Sequence, residues 1–408
     1  MELTKQKKQI GMLYVTTLAG VALGVLSSIV NTRFLLPADY GDVRYVQNII
    51  NFIAVFLLFG YFLSGARMMA LSQDERYDRK VKGCMVLVLA VACLILAACM
   101  PVCYFLHQNK PTVAFLFLVS LPVCFCPLLM NYIDQTMQGD NQIGRLSLAR
   151  ILPYLFYVPI GYFVYKTFGA TSTSMMLLQW GIYSAVYLGI IISTKPIFRD
   201  IKSVWRELQK ENRSYGIQLY IGSLVMVASN YIAGISLGYF NHDNSEVGFY
   251  TLALTVTAPL AYLPTIVGTT YFKRFASQAF IPRKVVYSTL LMTAVTCVLF
   301  LLVIQHLVVF LYSEKYAVVG TYASWLSVGF CIHGMGDMYN RFLCSHGQGV
   351  SVRNASIVNG VLKMIGFVAL VALFNTTGAI ITVLCCDTVY FACIYYYYMK
   401  FTKEAANG

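Results

Sequence analysis

The chain has 408 residues, of which 58% are hydrophobic and only 12% are charged, with a formal net charge of +13 at pH 7. Soluble globular domains carry about 25% charged residues, so this composition excludes a typical soluble protein. The positive charge would favour nucleic-acid binding in a soluble chain, but in a membrane protein its distribution reports orientation instead.

Apolar runs of 18 or more residues recur along the chain, and each is long enough to cross a hydrocarbon layer of roughly 30 Å. The runs are continuous and do not alternate with a period of two, which excludes a β-barrel. The first run, from Ile10 to about Leu36, is too long for the apolar core of a signal peptide, so we interpret it as a transmembrane helix. The sequence predicts about twelve transmembrane helices, at residues 10–36, 45–70, 82–106, 112–137, 147–166, 174–194, 214–240, 248–272, 285–312, 318–343, 354–374 and 378–400.

A charged segment interrupts this series at the midpoint of the chain. Residues 195–213 read KPIFRDIKSVWRELQKENR, which is mildly amphipathic and highly charged. We interpret this segment as a linker helix that lies on the cytoplasmic membrane surface. The predicted domains are therefore an N-terminal six-helix lobe (1–194), the linker (195–213) and a C-terminal six-helix lobe (214–408).

Lysine and arginine residues are unevenly distributed between the two ends of the predicted helices. With the N-terminus placed in the cytoplasm, 24 of them lie on the cytoplasmic side and five on the outer side. Cytoplasmic loops carry the excess of positive charge in helical membrane proteins. We therefore predict that both termini are cytoplasmic and that the turn around Pro37 and Gly41 faces outward.

The two halves of the chain share short motifs at a nearly constant offset. An acid, one residue and a glycine follow the first helix of each half, at 39–41 and, 207 residues later, at 246–248. A Gly-Ala pair precedes the last helix of each half, at 169–170 and, 209 residues later, at 378–379. Two six-helix repeats of the same orientation are typical of transporters that alternate between inward-open and outward-open states.

The chain contains twelve cysteines and five histidines, but no two cysteines have the CxxC spacing of a metal or redox site. Most of the cysteines fall inside apolar helices, where cysteine packs as a small hydrophobic residue. We therefore predict neither a bound metal nor a cofactor.

The stretch RFLLPADYG at 33–41 combines an arginine, an apolar pair, a proline and an acid-Tyr-Gly turn, and QGD at 138–140 follows the fourth predicted helix. With the twelve predicted helices and the Gly-Ala motifs, these features resemble the polysaccharide-biosynthesis flippases, the O-antigen-type family of the multidrug/oligosaccharidyl-lipid/polysaccharide exporter superfamily. The resemblance covers nearly the whole chain, although the second half lacks the proline and tyrosine of the turn. It implies an all-α membrane protein whose two parallel six-helix lobes form a V-shaped central cavity lined by helices 1, 2, 7 and 8.

By this resemblance the protein would move undecaprenyl-diphosphate-linked oligosaccharide from the cytoplasmic to the outer leaflet of the bacterial inner membrane, for surface polysaccharide biosynthesis. Its expected partners are this lipid-linked oligosaccharide, the bilayer, and the glycan polymerase and glycosyltransferases of the same pathway. The glycan itself and the energy source stay open.

A diphosphate that crosses a bilayer needs cations and hydrogen-bonding side chains along its path. Polar residues on the second predicted helix fall on one helical face around Arg44, because they are spaced three or four residues apart. Arginines near helix ends serve equally well as interfacial anchors. The substrate-binding candidates are Arg33, Arg44, Asn48, Asn51, Arg67, Arg150, Asn359 and Lys363.

Lys363 is the deepest of these cations, about 13 Å from the cytoplasmic end of the eleventh predicted helix. Asp387 lies at a similar depth on the twelfth. A charge at the bilayer centre costs at least about 2.5–3.5 kcal/mol, so we predict a Lys363–Asp387 ion pair. It is either a static structural pair or a switch, in which Asp387 releases Lys363 for phosphate or carries a coupling proton. The spacing of Asp337 and Arg341 predicts a second pair.

A stripe of small and polar residues on the first predicted helix allows two interpretations. Gly20, Gly24, Ser27 and Asn31 either line a cavity or allow close packing of another helix.

Three other functions compete with the flippase. A cation-coupled exporter of drug-like molecules from the same superfamily is the main alternative, although the few buried charges are mostly cationic, which suits an anionic lipid better. An enzyme such as a glycan polymerase is disfavoured, because the longest outer loop has about a dozen residues and no buried histidine pair is present. A scaffold or scramblase-like channel stays open, but the repeat favours alternating access.

Overall fold

The computed structural model describes the backbone of residues 2–407 and the side chains of residues 15–404, apart from those at 222 and 273. Within this range the backbone is almost entirely α-helical and forms no β-strand, which confirms the all-α fold. The lysines at positions 5, 7 and 8, which contribute to the predicted orientation, lie outside the described side chains. The chain divides into two compact units, Met1–Leu224 and Val225–Gly408.

The first unit combines long apolar helices with shorter pieces. Its helices are α1 (Glu2–Phe34), α2 (Pro37–Phe56), α3 (Tyr61–Leu71), α4 (Glu75–Leu106), α5 (Pro111–Val119), α6 (Cys126–Gly139), α7 (Ile143–Phe168), α8 (Ser172–Ser193) and α9 (Lys202–Glu211). A π-helical turn, Asn212–Gly216, follows α9 and leads directly into α10.

The boundary between the units falls inside α10. The remaining helices are α10 (Ile217–Phe240), α11 (Ser245–Thr270), α12 (Phe272–Phe275), α13 (Arg283–Tyr312), α14 (Val318–Ser345) and α15 (Gly349–Asn407). The predicted limits of the two lobes and the surface position of the linker stay predictions.

Eight helices in the described part of the chain are long and apolar enough to cross a membrane, or nine if the bent pair α2–α3 counts as one span. One of the eight, α15, covers both of the last two predicted spans and is interrupted at Asn375, whose backbone is non-helical (φ 51°, ψ −135°). Helix length and composition therefore establish a multi-pass membrane protein without confirming the number twelve.

Two predicted spans are not single helices, which corrects the sequence prediction. The span at 45–70 is bent by 60° between α2 and α3, because Phe59 and Gly60 have positive φ angles that a right-handed helix does not contain. The span at 112–137 is divided into α5 and α6 by a turn at residues 120–125. Pro127 stands at the beginning of α6, where its missing N–H group costs no hydrogen bond.

The acid of the repeated motif has the same kind of partner in both units. In the first unit, Asp39 in the first turn of α2 accepts a hydrogen bond from Ser172 at the start of α8, at 3.0 Å. In the second unit, Glu246 in the first turn of α11 accepts hydrogen bonds from Thr376 in α15, at 2.5 Å, and from Tyr322, at 2.8 Å. Each acid thus joins the helix that it begins to the last apolar helix of its own unit.

The QGD motif at the end of α6 packs tightly against neighbouring helices. A Cβ atom at Gly139 would lie 2.5 Å from the Cα atom and the carbonyl oxygen of Ala66 in α3. Asp140 forms an ion pair with Lys82 of α4, whose side chain is only 3% exposed. The glycine therefore permits a close approach of backbones, and the aspartate neutralises a buried cation.

We expect Gly139→Ala to lower the free energy of unfolding by about 1–3 kcal/mol, because an added methyl group would push α3 and α6 apart. Gly144→Ala is the matched control, since a Cβ atom at Gly144 meets nothing within 4 Å. Alanine is the better helix former by about 0.8–1 kcal/mol, so the control should be neutral or stabilising. Thermal unfolding in detergent measures both variants, and equal stabilities would contradict the close-approach argument.

Candidate functional site

Arg44 is held near the start of α2 by neutral oxygen atoms. Its Nε donates to the hydroxyl of Tyr40 at 2.9 Å, and its Nη1 donates to Oε1 of Gln47 at 2.8 Å. Arg44 follows Pro37 by seven residues, which corresponds to about 10 Å along the helix axis. Among the described residues, no carboxylate forms a hydrogen bond or ion pair with this guanidinium. Arg44 is therefore a half-buried cation without an anionic partner in an apolar region.

A network of buried hydrogen bonds holds Gln47, the residue that accepts a hydrogen bond from Arg44. Gln47 donates to Oε1 of Gln179 at 3.3 Å, and Gln179 donates to the hydroxyl of Ser27 at 3.4 Å. These three side chains lie on α2, α8 and α1 and are all buried. The sequence analysis missed Gln179, although a glutamine inside an apolar helix is the signal that would have identified it.

The small-residue stripe of α1 packs against α7. A Cβ atom at Gly20 would lie 3.3 Å from the carbonyl oxygen of Arg150. At the other end of the stripe, the fully buried Asn31 accepts a hydrogen bond from the hydroxyl of Tyr157. Of the two interpretations of this stripe, the structure supports close packing.

Asn48 and Asn51 lie on the same face of α2 as Arg44 and are half-buried. Neither side chain forms a hydrogen bond with another described residue. An amide in an apolar region without an intramolecular partner is costly unless water or a ligand satisfies it. Arg44, Asn48 and Asn51, which we call the α2 polar face, thus combine one cation with two half-buried amides that form no hydrogen bond with another described residue.

Two other predicted arginines have different surroundings. Arg33, in the last turn of α1, is exposed and forms no ion pair or hydrogen bond with the described side chains. Arg67 is also exposed, but it forms an ion pair with Glu211 and lies 4.5 Å from the ring centroid of Tyr215. Arg67 therefore connects α3 to the end of α9 and to the π-helical turn. We do not include it in the proposed site.

Arg150 connects three helices of the first unit. Its Nη1 donates to the hydroxyl of Thr17 at 2.8 Å, and its Nη2 lies 3.7 Å from Oδ1 of Asp134. The guanidinium is partly neutralised by this carboxylate, which makes it a weaker candidate for an anionic substrate than Arg44.

The second unit contains a cluster of charged side chains around Asp387, which is 4% exposed. Lys363 Nζ lies 2.8 Å from Asp387 Oδ1, so the predicted ion pair is present. His333 Nδ1 lies 3.1 Å from the same oxygen, and the His333 ring stacks on Tyr390. We call Lys363, Asp387, His333, Asp337 and Tyr390 the Lys363 cluster. Its role in substrate binding or coupling stays a prediction.

Asp337 does not pair with Arg341, which corrects the second predicted ion pair. Asp337 accepts hydrogen bonds from the hydroxyls of Tyr390, at 3.0 Å, and Thr265, at 3.1 Å. Arg341 is exposed and forms no ion pair with the described residues. Hydroxyls on two neighbouring helices determine the position of this carboxylate, because an exposed i,i+4 ion pair contributes only about 0.3–0.5 kcal/mol.

The charges of the Lys363 cluster do not balance when the histidine is neutral. One lysine then faces the two carboxylates of Asp387 and Asp337, and His333 lies between them, with Nε2 at 3.9 Å from Asp337. The sequence analysis missed His333, although a histidine four residues before an aspartate in an apolar helix was visible.

Asn359 lies one helical turn before Lys363 and is 5% exposed. Its Oδ1 atom has no hydrogen-bond partner among the described residues. A buried acceptor of this kind is costly unless water or a ligand donates to it.

Comparison with known proteins identifies the family. The sequence model of the family described as "polysaccharide biosynthesis protein" matches residues 7–278, about two thirds of the chain. The chain belongs to this family. The match confirms the resemblance that the turn at 33–41 and the Gly-Ala motifs indicated.

One curated relative and two solved structures extend this finding. The uncharacterized membrane protein MJ1068 of Methanocaldococcus jannaschii is 25% identical over 159 residues, which cover 38% of this chain and 30% of the length of the relative. The lipid II flippase MurJ in its inward closed conformation aligns with a TM-score of 0.72 and 13% identity, over 96% of this chain and 89% of that one. An inward-facing multidrug resistance MATE family transporter of the MOP superfamily aligns with a TM-score of 0.67 and 16% identity, over 94% and 96%. At these identities the structures establish the fold, which this family member shares with a lipid flippase and a multidrug transporter.

Proposed function

We propose that the protein is a flippase that moves undecaprenyl-diphosphate-linked oligosaccharide from the cytoplasmic to the outer leaflet of the bacterial inner membrane. Transport would proceed by alternating access and supply surface polysaccharide biosynthesis, with both termini in the cytoplasm. The glycan polymerase and glycosyltransferases of the pathway would provide and consume the lipid-linked units.

The α2 polar face is the observation that carries this proposal. A transporter of anionic lipid needs a cation whose charge is not already neutralised by the protein, and the partners of Arg44 are the neutral oxygens of Tyr40 and Gln47. Asn48 and Asn51 add hydrogen-bond donors that suit phosphate oxygens or sugar hydroxyls.

The second candidate function is a cation-coupled exporter of small molecules. The Lys363 cluster favours it, because two carboxylates and a histidine lie together among apolar helices. Such a group binds protons or attracts positively charged solutes. The lysine in the same cluster reduces this attraction.

The test uses the full chain in liposomes with fluorescent undecaprenyl-diphosphate-oligosaccharide and measures the movement of the lipid between leaflets. Wild-type protein should exchange the lipid, and unlabelled lipid-linked diphosphate should compete, whereas cationic dyes should not. The flippase proposal would be wrong if no lipid exchange occurred under imposed proton, sodium and electrical gradients. Gradient-driven efflux of cationic dyes in the same liposomes would then support the exporter.

A further inference from the structure

The short helix α9 separates its charges onto two faces. Lys202, Arg206 and Lys210 of α9 and Arg213 of the following π-helical turn are spaced four, four and three residues apart, which places them on one side. All four are exposed, and none forms an ion pair or side-chain hydrogen bond with a described residue. We call these four cations the basic stripe.

The two acids of α9 lie on a different face of the helix from the basic stripe, and both contact other helices. Glu207 accepts a hydrogen bond from the hydroxyl of Tyr77 at 2.6 Å. Glu211 forms the ion pair with Arg67. The carboxylates therefore hold α9 against α3 and α4, whereas the exposed cations of the basic stripe form no ion pair with a described residue.

Cavities lie along the same helix on the stripe side. Arg206, Lys210 and Arg213 line a cavity of about 530 Å³ together with polar neighbours. A second cavity, of about 640 Å³, begins at Lys202 and Trp205. Its other lining side chains are apolar and come from the bend between α2 and α3, from Tyr61 of α3, from α4 and from Ile201.

The apolar cavity opens beside exposed apolar side chains of α4. Val91 of α4 lines it and is 57% exposed, and Leu87 and Ile95 on the same helix are exposed as well. Tyr61 stacks on Trp205 with ring centroids 6.1 Å apart, which fixes the aromatic wall of the cavity. An apolar groove with a cation at its rim matches one kind of ligand, a lipid with an anionic headgroup.

We propose that the first unit binds one anionic phospholipid, with the headgroup phosphate on the basic stripe of α9 and an acyl chain in the apolar cavity beside Trp205. The lipid would stabilise α9 and the bend between α2 and α3, since both line the cavity. This site is separate from the α2 polar face and does not depend on the proposed transport function.

The experiment measures Trp205 fluorescence in nanodiscs, because bromine atoms on an acyl chain quench a nearby indole. A Trp325→Phe background removes the exposed indole at position 325 and leaves the buried Trp180. Brominated phosphatidylglycerol at a low mole fraction should quench at least about tenfold more effectively than brominated phosphatidylcholine. Raising the salt concentration should weaken the preference.

Two variants and one control make the test specific. A quadruple variant, with glutamine at each position of the basic stripe, should lose the preference for phosphatidylglycerol. Val91→Phe should reduce quenching by filling the cavity. Arg283→Gln with Lys284→Gln removes two exposed cations from the second unit and should leave the preference intact.

Equal quenching by the two lipids in the wild-type background would overturn the proposal. An unchanged preference in the quadruple variant would overturn it as well. Displacement of phosphatidylglycerol by equimolar undecaprenyl diphosphate would reassign the site to the transported lipid.

Discussion

A Lys363→Met variant is expected to lose transport. Its free energy of unfolding should be about 3–5 kcal/mol lower than that of the wild type. The substitution leaves Asp387, which is 4% exposed, without the cation that lies 2.8 Å away. Breaking a buried ion pair from one side leaves an uncompensated charge, which costs more than the pair itself contributes. Thermal unfolding and leaflet exchange in liposomes measure the two effects separately.

The double variant Lys363→Met with Asp387→Asn distinguishes a static pair from a functional one. Both charges are then removed, so most of the lost stability should return. If the pair is functional, transport should stay low, because the lysine that we propose for the substrate or the coupling step is missing. If the double variant regains transport together with stability, the pair is only structural. Lys284→Gln, which removes an exposed lysine of the second unit, is the matched control.

An Arg44→Gln variant is expected to move the lipid-linked oligosaccharide about tenfold to a hundredfold more slowly. A hydrogen bond to a charged group contributes about 1.5–3 kcal/mol, and the variant loses both the charge and the fork-shaped donor. Arg44→Lys keeps the charge but not the bidentate geometry and should recover part of the rate. Rates are compared per amount of folded protein, because Arg44 also binds Tyr40 and Gln47.

Two further cations serve as references for Arg44. Lys166→Gln removes an exposed cation that the sequence places on the outer side, and it should leave transport unchanged. Arg33→Gln should have a smaller effect than Arg44→Gln, since Arg33 lies at the exposed end of α1. If both Arg33→Gln and Arg44→Gln transport normally, the turn at 33–45 does not lie on the substrate path.

The class of protein was readable from the sequence alone. Long apolar runs exclude water-soluble folds because each run has to be buried in lipid or protein, whichever neighbours it acquires. The Lys363–Asp387 pair was equally predictable, since two opposite charges at equal depth on adjacent helices of a hairpin have few other partners in an apolar environment. The offset between Gly169 and Gly378 predicts which helices of the two halves correspond.

Only the tertiary structure decided which side chains meet across helices. The partner of Asp337 is not its neighbour in sequence, Arg341, but hydroxyls on α11 and α15. His333 joins the Lys363 cluster for the same reason. A polar side chain in an apolar region binds whichever donors the packed faces of neighbouring helices present, and the periodicity of one helix does not contain that information.

The positions of the helix breaks could also be determined only from the folded structure. Hydropathy treats 45–70 and 112–137 as uniform spans, because it averages side-chain polarity and contains no backbone angles. The bend between α2 and α3 depends on positive φ angles at Phe59 and Gly60, and Gly60 approaches the backbone of Gly216 so closely that a Cβ atom there would lie 2.5 Å from it. The sequence thus determined what has to be buried in the membrane, and long-range packing determined where the chain bends and which polar groups satisfy one another.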